Sequence, residues 1–301
     1  MTTIRARLLN FFLRHTVKRR LAAASTPYDV RRVFNSALSI APRGVVYTPA
    51  TLGGVPGEWV EARDTPAKGT LLYVHGGGYV AMSPRTHRAV TGAFARRGFR
   101  VFAVDYRLAP EHAFPAALDD ATAAWLALRG SAQGPAYVAG DSAGGGLTLA
   151  LLLNLRDKGA PAPDAACAFS PWTDLAITGD SMKSNAERDP MLVSDGIETI
   201  ADAYLAGTDS RDPLASPLYG DYAGLPPLMI QVGDTEILLD DARRAAERAR
   251  AAGVAVDLQV FPDMPHVWQF ANRLTPEARR AMDNAAGFLH AAGAAREAAA
   301  A

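Results

Sequence analysis

The sequence predicts an α/β fold built on one mostly parallel, eight-stranded sheet, with helices on both faces and a helical cap. Three observations carry this. Eight β-rich runs occur along the 301 residues, and helical stretches separate most of them, the alternation that builds a parallel sheet through right-handed crossovers. From the third run onward most runs are nearly continuously apolar, as strands buried on both faces are. Two stretches, residues 1–43 and 175–225, break the alternation, and the second is far too long for a plain crossover.

Taken in chain order, residues 1–43 read as helices, with Thr26 and Pro27 opening one as cap and first residue. Runs at 44–48 and 57–62 have no helix between them and predict an antiparallel hairpin at one edge. Strands follow at 69–74, 100–104, 136–140, 165–170, 228–233 and 254–260. Helices are expected at 85–97, 116–129, 143–158, 238–252 and 275–291, the fourth ending at Gly253 and the last opening at Thr275 and Pro276. Beyond Ala291 the alanine-rich tail reads as a fraying helix end. Within 175–225, Ser194 is placed to cap a helix carrying Ile197, Ile200, Tyr204 and Leu205 on one face. Residues 1–43 and 175–225 are therefore expected to form a cap over a core of residues 44–174 and 226–301. No repeat, low-complexity linker or second domain interrupts this.

Bulk chemistry excludes several functions. The formal charge is zero, so no overall field draws the chain to nucleic acid. Arg5, Arg7, Arg14, Lys18, Arg19 and Arg20 crowd the first twenty residues without an acid. A membrane-surface helix would look like this, and so would a cap helix with a solvated face, the favoured reading. Cys167, the single cysteine, sits in an apolar run and reads as a buried strand thiol, with no internal disulfide and no cysteine-based metal site. His15, His87 and His290 lack metal-ligand spacing and read as solvated or satisfied side chains. No run approaches the roughly eighteen apolar residues of a membrane span, and Leu8–Leu13 is short for a signal core. The expectation is a cytoplasmic protein without integral membrane association.

The stretch Gly140-Asp141-Ser142-Ala143-Gly144 directly follows a predicted strand. It is either a glycine-rich turn or the strand-to-helix elbow that holds a nucleophilic serine above a sheet. Order along the chain favours the elbow. Ser142 follows the fifth strand, acids follow the one ending near Gly233, and His266 follows the one ending near Val260. In a parallel sheet such loops share an edge, so serine, acid and histidine can converge. A serine attacking a carbonyl also needs amide donors for the oxyanion. Ala143, at a helix start, supplies one, and His75-Gly76-Gly77-Gly78-Tyr79, directly after the third strand, can supply others. A phosphate loop is disfavoured, because neither Gly-x-x-x-x-Gly-Lys nor Gly-x-Gly-x-x-Gly with a ribose-binding acid is present.

With these motifs stand Asp105–Asp120 (DYRLAPEHAFPAALDD), SPWTDL from Ser170, GLPP from Gly224 and PHVWQ from Pro265. Together they resemble the bacterial hormone-sensitive-lipase-like (family IV) carboxylesterases of the α/β-hydrolase superfamily, from about residue 40 to the end. The resemblance implies the α/β-hydrolase fold and a serine esterase without cofactor. It implies Ser142 as nucleophile, His266 as general base, Gly77, Gly78 and Ala143 as oxyanion donors, and His75, Glu111 and His112 as structural. Relatives typically carry Asp-Pro-Leu-x-Asp after the seventh strand, whereas this chain has Glu236–Asp240 (EILLD). Matching Leu238 and Asp240 puts Glu236 on the acid's position, with Asp234 as its rival. Asp240 and Asp241 read as first-turn acids offsetting the helix dipole, and Asp263 as a turn acid.

Tyr79, Trp172, Met191 and Trp268 lie on or near loops at this edge and are candidates for the pocket wall. The expected substrate is a small-molecule ester with a short to medium acyl chain. Amidase, lactonase and deacetylase remain open, since the machinery does not identify the leaving group. A binding protein that has lost catalysis on this fold is disfavoured by the presence of His266. Edge pairing of two copies through Val254–Val260 is the candidate route to a homodimer.

Overall fold

The computed structural model describes residues 2–36 and 40–300. The expectation of helices over 1–43 therefore falls partly outside the described residues. Helices α1 (Ile4–Leu13), α2 (Arg19–Ala22) and α3 (Pro27–Asn35) occupy the N-terminus, a single π-turn segment, Arg14–Lys18, bridging the first two. The sheet strands are β1 (Val45–Leu52), β2 (Val55–Ala62), β3 (Gly69–Val74), β4 (Phe99–Val104), β5 (Ala136–Asp141), β6 (Ala166–Phe169), β7 (Leu228–Gly233) and β8 (Val256–Phe261). Between them run α4 (Arg88–Ala95), α5 (Ala116–Ser131), α6 (Ala143–Asp157), α7 (Ser181–Ser184), α8 (Ile197–Leu205) and α9 (Leu239–Ala251), and α10 (Pro276–Ala300) follows β8.

Strand order is β1-β2-β4-β3-β5-β6-β7-β8. β1 and β2 pair antiparallel, β2 runs antiparallel to β4, and all other pairs are parallel. The expected edge hairpin is present and longer than its sequence suggests. β1 continues through Pro49 because an edge strand has a side where no donor is needed, and Gly53 and Gly54, with φ of 62° and 81°, make its two-residue turn.

Both faces of the sheet are covered. On one, α6 buries Leu147, Leu149, Leu151, Leu152, Leu153 and Leu155 with α5 and α9, each leucine worth roughly 1.5–3 kcal/mol of burial. On the other, α4 and α10 close over Val90, Phe94, Met282 and Leu289, with Cys167 in the same buried cluster.

Several expectations need correction. The helix expected from residue 85 begins at Arg88, because Pro84–His87 form a 3-10 turn capped reciprocally by Ser83 and Thr86. α10 stays helical to Ala300 rather than fraying at Ala291. Ser194 does not cap α8: its hydroxyl donates to the Met182 carbonyl, and Gly196, at φ 83°, takes the cap position. Ile200, Tyr204 and Leu205 are nonetheless its buried face. Thr26 caps α3 as expected, accepting from the Asp29 amide with Pro27 at the first helical position.

Candidate active site

The loops after β3, β5, β7 and β8 meet at the C-terminal edge of the parallel strands. At the end of β5 the chain reverses sharply into α6, and Ser142 stands at the turn with φ 54° and ψ −125°, a conformation that costs a non-glycine residue energy and persists only where the surroundings dictate it. Here they do. The Ser142 amide donates to Phe169 (2.8 Å), and its carbonyl accepts from Gly146 and Trp172 (3.0 Å each). A Cβ on Gly144 would strike the carbonyl oxygens of Val74 and His75, and one on Gly140 the carbonyl of Gly144. The glycines flanking Ser142 are thus required by backbone-to-backbone approach.

Facing Ser142, the loop after β3 runs through Gly77 and Gly78 at φ 116° and 64°. The Gly77 carbonyl accepts from Val80 and Ala81, which fixes the turn. Among the described hydrogen bonds, none takes the amide N–H of Gly77, Gly78 or Ala143. Ala143 opens α6, where the helix leaves its first amides unpaired and the dipole favours negative charge. His75 is buried, donates from Nδ1 to the Gly76 carbonyl (2.7 Å) and stacks on Tyr106 at 4.2 Å. Burial, with His87 adding to it, pulls the His75 imidazole down to about 3, so the ring stays neutral.

Glu236 and His266 are in direct contact: His266 Nδ1 lies 2.7 Å from Glu236 Oε2. The other carboxylate oxygen accepts from the Gly233 amide (2.6 Å) and the Ser170 hydroxyl (2.8 Å). Burial depresses the imidazole's proton affinity, but the Glu236 hydrogen bond and charge, with Asp189 and Asp141 behind them, raise it above its usual value. Asp234 is engaged elsewhere, its carboxylate accepting from the Asp263 amide (2.7 Å).

Ser142 and His266 both line a cavity of about 510 Å³, together with Gly77, Met191 and Trp268. A smaller cavity of about 80 Å³ also reaches Ser142 and is walled by Gly78 and Trp172. Tyr79, expected in the wall, is a correction. It borders neither cavity, because its ring turns under α8 and stacks on Tyr204 at 3.7 Å.

Some roles differ from the sequence reading. Asp240 and Asp241 do more than offset a dipole. Asp240 accepts from the Ser181 amide, while buried Asp241 accepts from Thr173 and Asp174 and so holds the loop after β6. Three positioning groups were missed. Asp141 accepts from Tyr73 (2.6 Å) and the Gly76 amide (3.3 Å), with His87 beside it, and so ties the serine turn to the glycine loop. Ser170 bridges Glu236 and the Val267 amide. Asp189 gathers the amides of Met191, Leu192 and Ile237. Asp141 and Ser170 lie inside motifs already singled out, and their position beside the turn was the available signal. Nothing local marks Asp189.

The basic N-terminus is partly consumed by structure. Arg14 donates to the carbonyls of Glu187 and Arg188, and Lys18 to those of Ala186 and Asp189. Among the described residues, no helix is long and apolar enough to cross a membrane, and no group of three or more His, Cys, Asp or Glu could hold a metal ion.

The alpha/beta hydrolase fold family matches residues 71–270. An acetyl-hydrolase of Streptomyces hygroscopicus is 43% identical over 281 residues, 92% of each chain. An esterase of Acinetobacter venetianus is 35% identical over 268 residues, 87% of this chain and 88% of that one. Among solved structures, EstE5 soaked with p-nitrophenyl butyrate superimposes with a TM-score of 0.92 at 38% identity, covering 97% of this chain and 99% of that one. An esterase from the bacterial hormone-sensitive lipase family gives 0.88 at 41% identity, covering 96% and 98%.

Proposed function

The chain belongs to the alpha/beta hydrolase fold family, in its hormone-sensitive-lipase-like branch, and is a carboxylic ester hydrolase; from that premise we propose that Ser142, His266 and Glu236 carry the reaction. The observation behind the assignment is the buried 2.7 Å contact between His266 and Glu236, on a histidine that shares the Ser142 cavity.

Ser142 Oγ attacks the ester carbonyl while His266 Nε2 takes its proton. Glu236 holds the ring in the tautomer with Nε2 free and stabilises the imidazolium. The amides of Gly77, Gly78 and Ala143 receive the oxyanion, already oriented before charge develops. Collapse breaks the bond to the alcohol, which leaves with the proton from His266, and water then releases the acid by the same steps in reverse. Residues 1–43 and 175–225 act as one cap. The contacts of Arg14 and Lys18 with residues 186–189 support this, as does the share of both segments in lining the cavities. Short to medium acyl chains are the preferred substrates.

Ser142→Ala should lose at least about a thousandfold in p-nitrophenyl acetate turnover with an unchanged melting temperature. Wild-type turnover in that variant would remove the serine from the mechanism.

A further inference from the structure

Ser142 stands where two unequal cavities meet, and their positions relative to His266 assign the two halves of the substrate. The larger, about 510 Å³, is walled by His266, Trp268 and Phe270 and roofed by Leu9, Phe12 and Val17 of the N-terminal helical segment. The smaller, about 80 Å³, is bounded by Gly78, Trp172, Leu192, Ile200 and Leu238, and His266 is not among its walls. Resting on the Ser142–His266 reading above, we infer that the larger chamber receives the alcohol and the smaller the acyl chain, so that the enzyme favours small acids esterified to bulky apolar alcohols.

The argument follows one proton. The bond from Ser142 Oγ to the carbonyl carbon forms as the hydroxyl proton passes to His266. When the carbon–oxygen bond to the alcohol breaks, that proton must reach the departing oxygen. Nδ1 is occupied by Glu236, so Nε2 must deliver it, and the departing oxygen has to lie within hydrogen-bond reach of that atom. Its alkyl group therefore starts on the side bounded by His266, Trp268 and Phe270. The acyl substituent, fixed by the tetrahedral carbon, points away toward Gly78 and Trp172. At roughly 10–15 Å³ for each water-sized group, the smaller chamber holds about five to eight such groups. The larger has about six times that room, behind mostly apolar side chains.

Acylation is the step that contains the alcohol, whereas every acetate shares one acyl-enzyme, so the preference appears in kcat/KM. In acetates of ethanol, butanol and octanol, whose leaving-group acidities are nearly equal, kcat/KM should rise about two- to fourfold per added methylene. In ethyl esters of acetic, butyric and decanoic acid it should collapse at decanoate. Phe12→Ala should cut the octyl-to-ethyl acetate ratio about tenfold, and Leu192→Trp should instead cut the ratio of ethyl butyrate to ethyl acetate. Phe12 is 58% exposed, so its truncation leaves folding intact. A flat or falling alcohol series overturns the assignment of the chambers, as would Phe12→Ala acting on the acyl ratio. Failure of the underlying reading has a different signature: Ser142→Ala would hydrolyse both series like the wild type.

Discussion

Two carboxylates two residues apart, Glu236 and Asp234, separate by their partners. Glu236 is fully buried and meets three donors: the His266 ring, the Gly233 amide and the Ser170 hydroxyl. A glutamine there would turn an NH₂ toward groups that themselves donate, leaving buried donors unpaired and the imidazolium without its counter-charge. Glu236→Gln should lower kcat/KM by about four orders of magnitude, and Asp234→Asn by less than about tenfold. The reverse ranking in steady-state kinetics would move the role to Asp234. The pH profile adds a second reading. A general base works when neutral, so activity climbs as pH rises through the His266 pKa, which stands above the usual 6.5 because Glu236 outweighs burial. Removing the Glu236 charge should shift the residual acid limb to lower pH. Ser170→Ala, which takes one donor from the carboxylate, should leave that limb near its wild-type position.

The β5–turn–α6 element shows what a sequence displays and what it conceals. Its glycines, the order of strands and the apolar runs are local signals, so the sheet, the turn at Ser142 and the helix behind it were legible. Contacts between elements were not. Ser194 has the chemistry of a cap, but a tertiary acceptor, the Met182 carbonyl, claims its hydroxyl. Tyr79 follows the glycine loop in sequence, yet the left-handed backbone at φ 63° sends its ring to Tyr204. Asp141 is marked in the sequence by its place beside Ser142, but its partners Tyr73 and Gly76, 68 and 65 residues away, are what reveal its use. The same element yields a paired test. Gly144→Ala places a methyl against the backbone of β3 and its following loop, where nothing flexible can yield. It should cost about 2–3 kcal/mol, lower the melting temperature by about 3–5 °C, and reduce activity by displacing Ser142 from the glycine loop. Gly130→Ala, exposed near the end of α5 with nothing within 4 Å of the new methyl, should gain about 0.5 kcal/mol. Equal melting temperatures for the two variants would show that the close approach is not maintained in solution.

Across the whole molecule, the edge that carries the site also concentrates buried ionisable groups, and their protonation ties stability to pH. Burial pushes the Asp241 carboxyl up to about 7, against the pull of the Thr173 amide, and pulls the His75 imidazole down to about 3. These act in opposite senses. Between about 4 and 7 the folded chain keeps a proton on Asp241 that the unfolded chain has released, so this group's contribution falls as pH rises. Between about 3 and 6.5 the unfolded chain binds a proton on His75 that the folded chain refuses, so that contribution grows. Their slopes, each up to about 1.4 kcal/mol per pH unit, oppose one another from roughly pH 4 to 6.5. His266, with its raised value, contributes below 6.5 and loses that contribution as pH rises through its folded pKa. Asp141, held below its ordinary range because His87 and Tyr73 outweigh burial, contributes above about 3.8 and loses it in stronger acid. Asp241→Asn removes one arm of the opposition. In urea unfolding at pH 4.5, 5.5, 6.5 and 7.5, the variant should gain on the wild type with each step, by about 3 kcal/mol in all, and level off above pH 7. A difference that stays constant across those four values would mean that Asp241 titrates alike in the folded and unfolded chains, and that the loop it holds between Thr173 and Asp174 admits water.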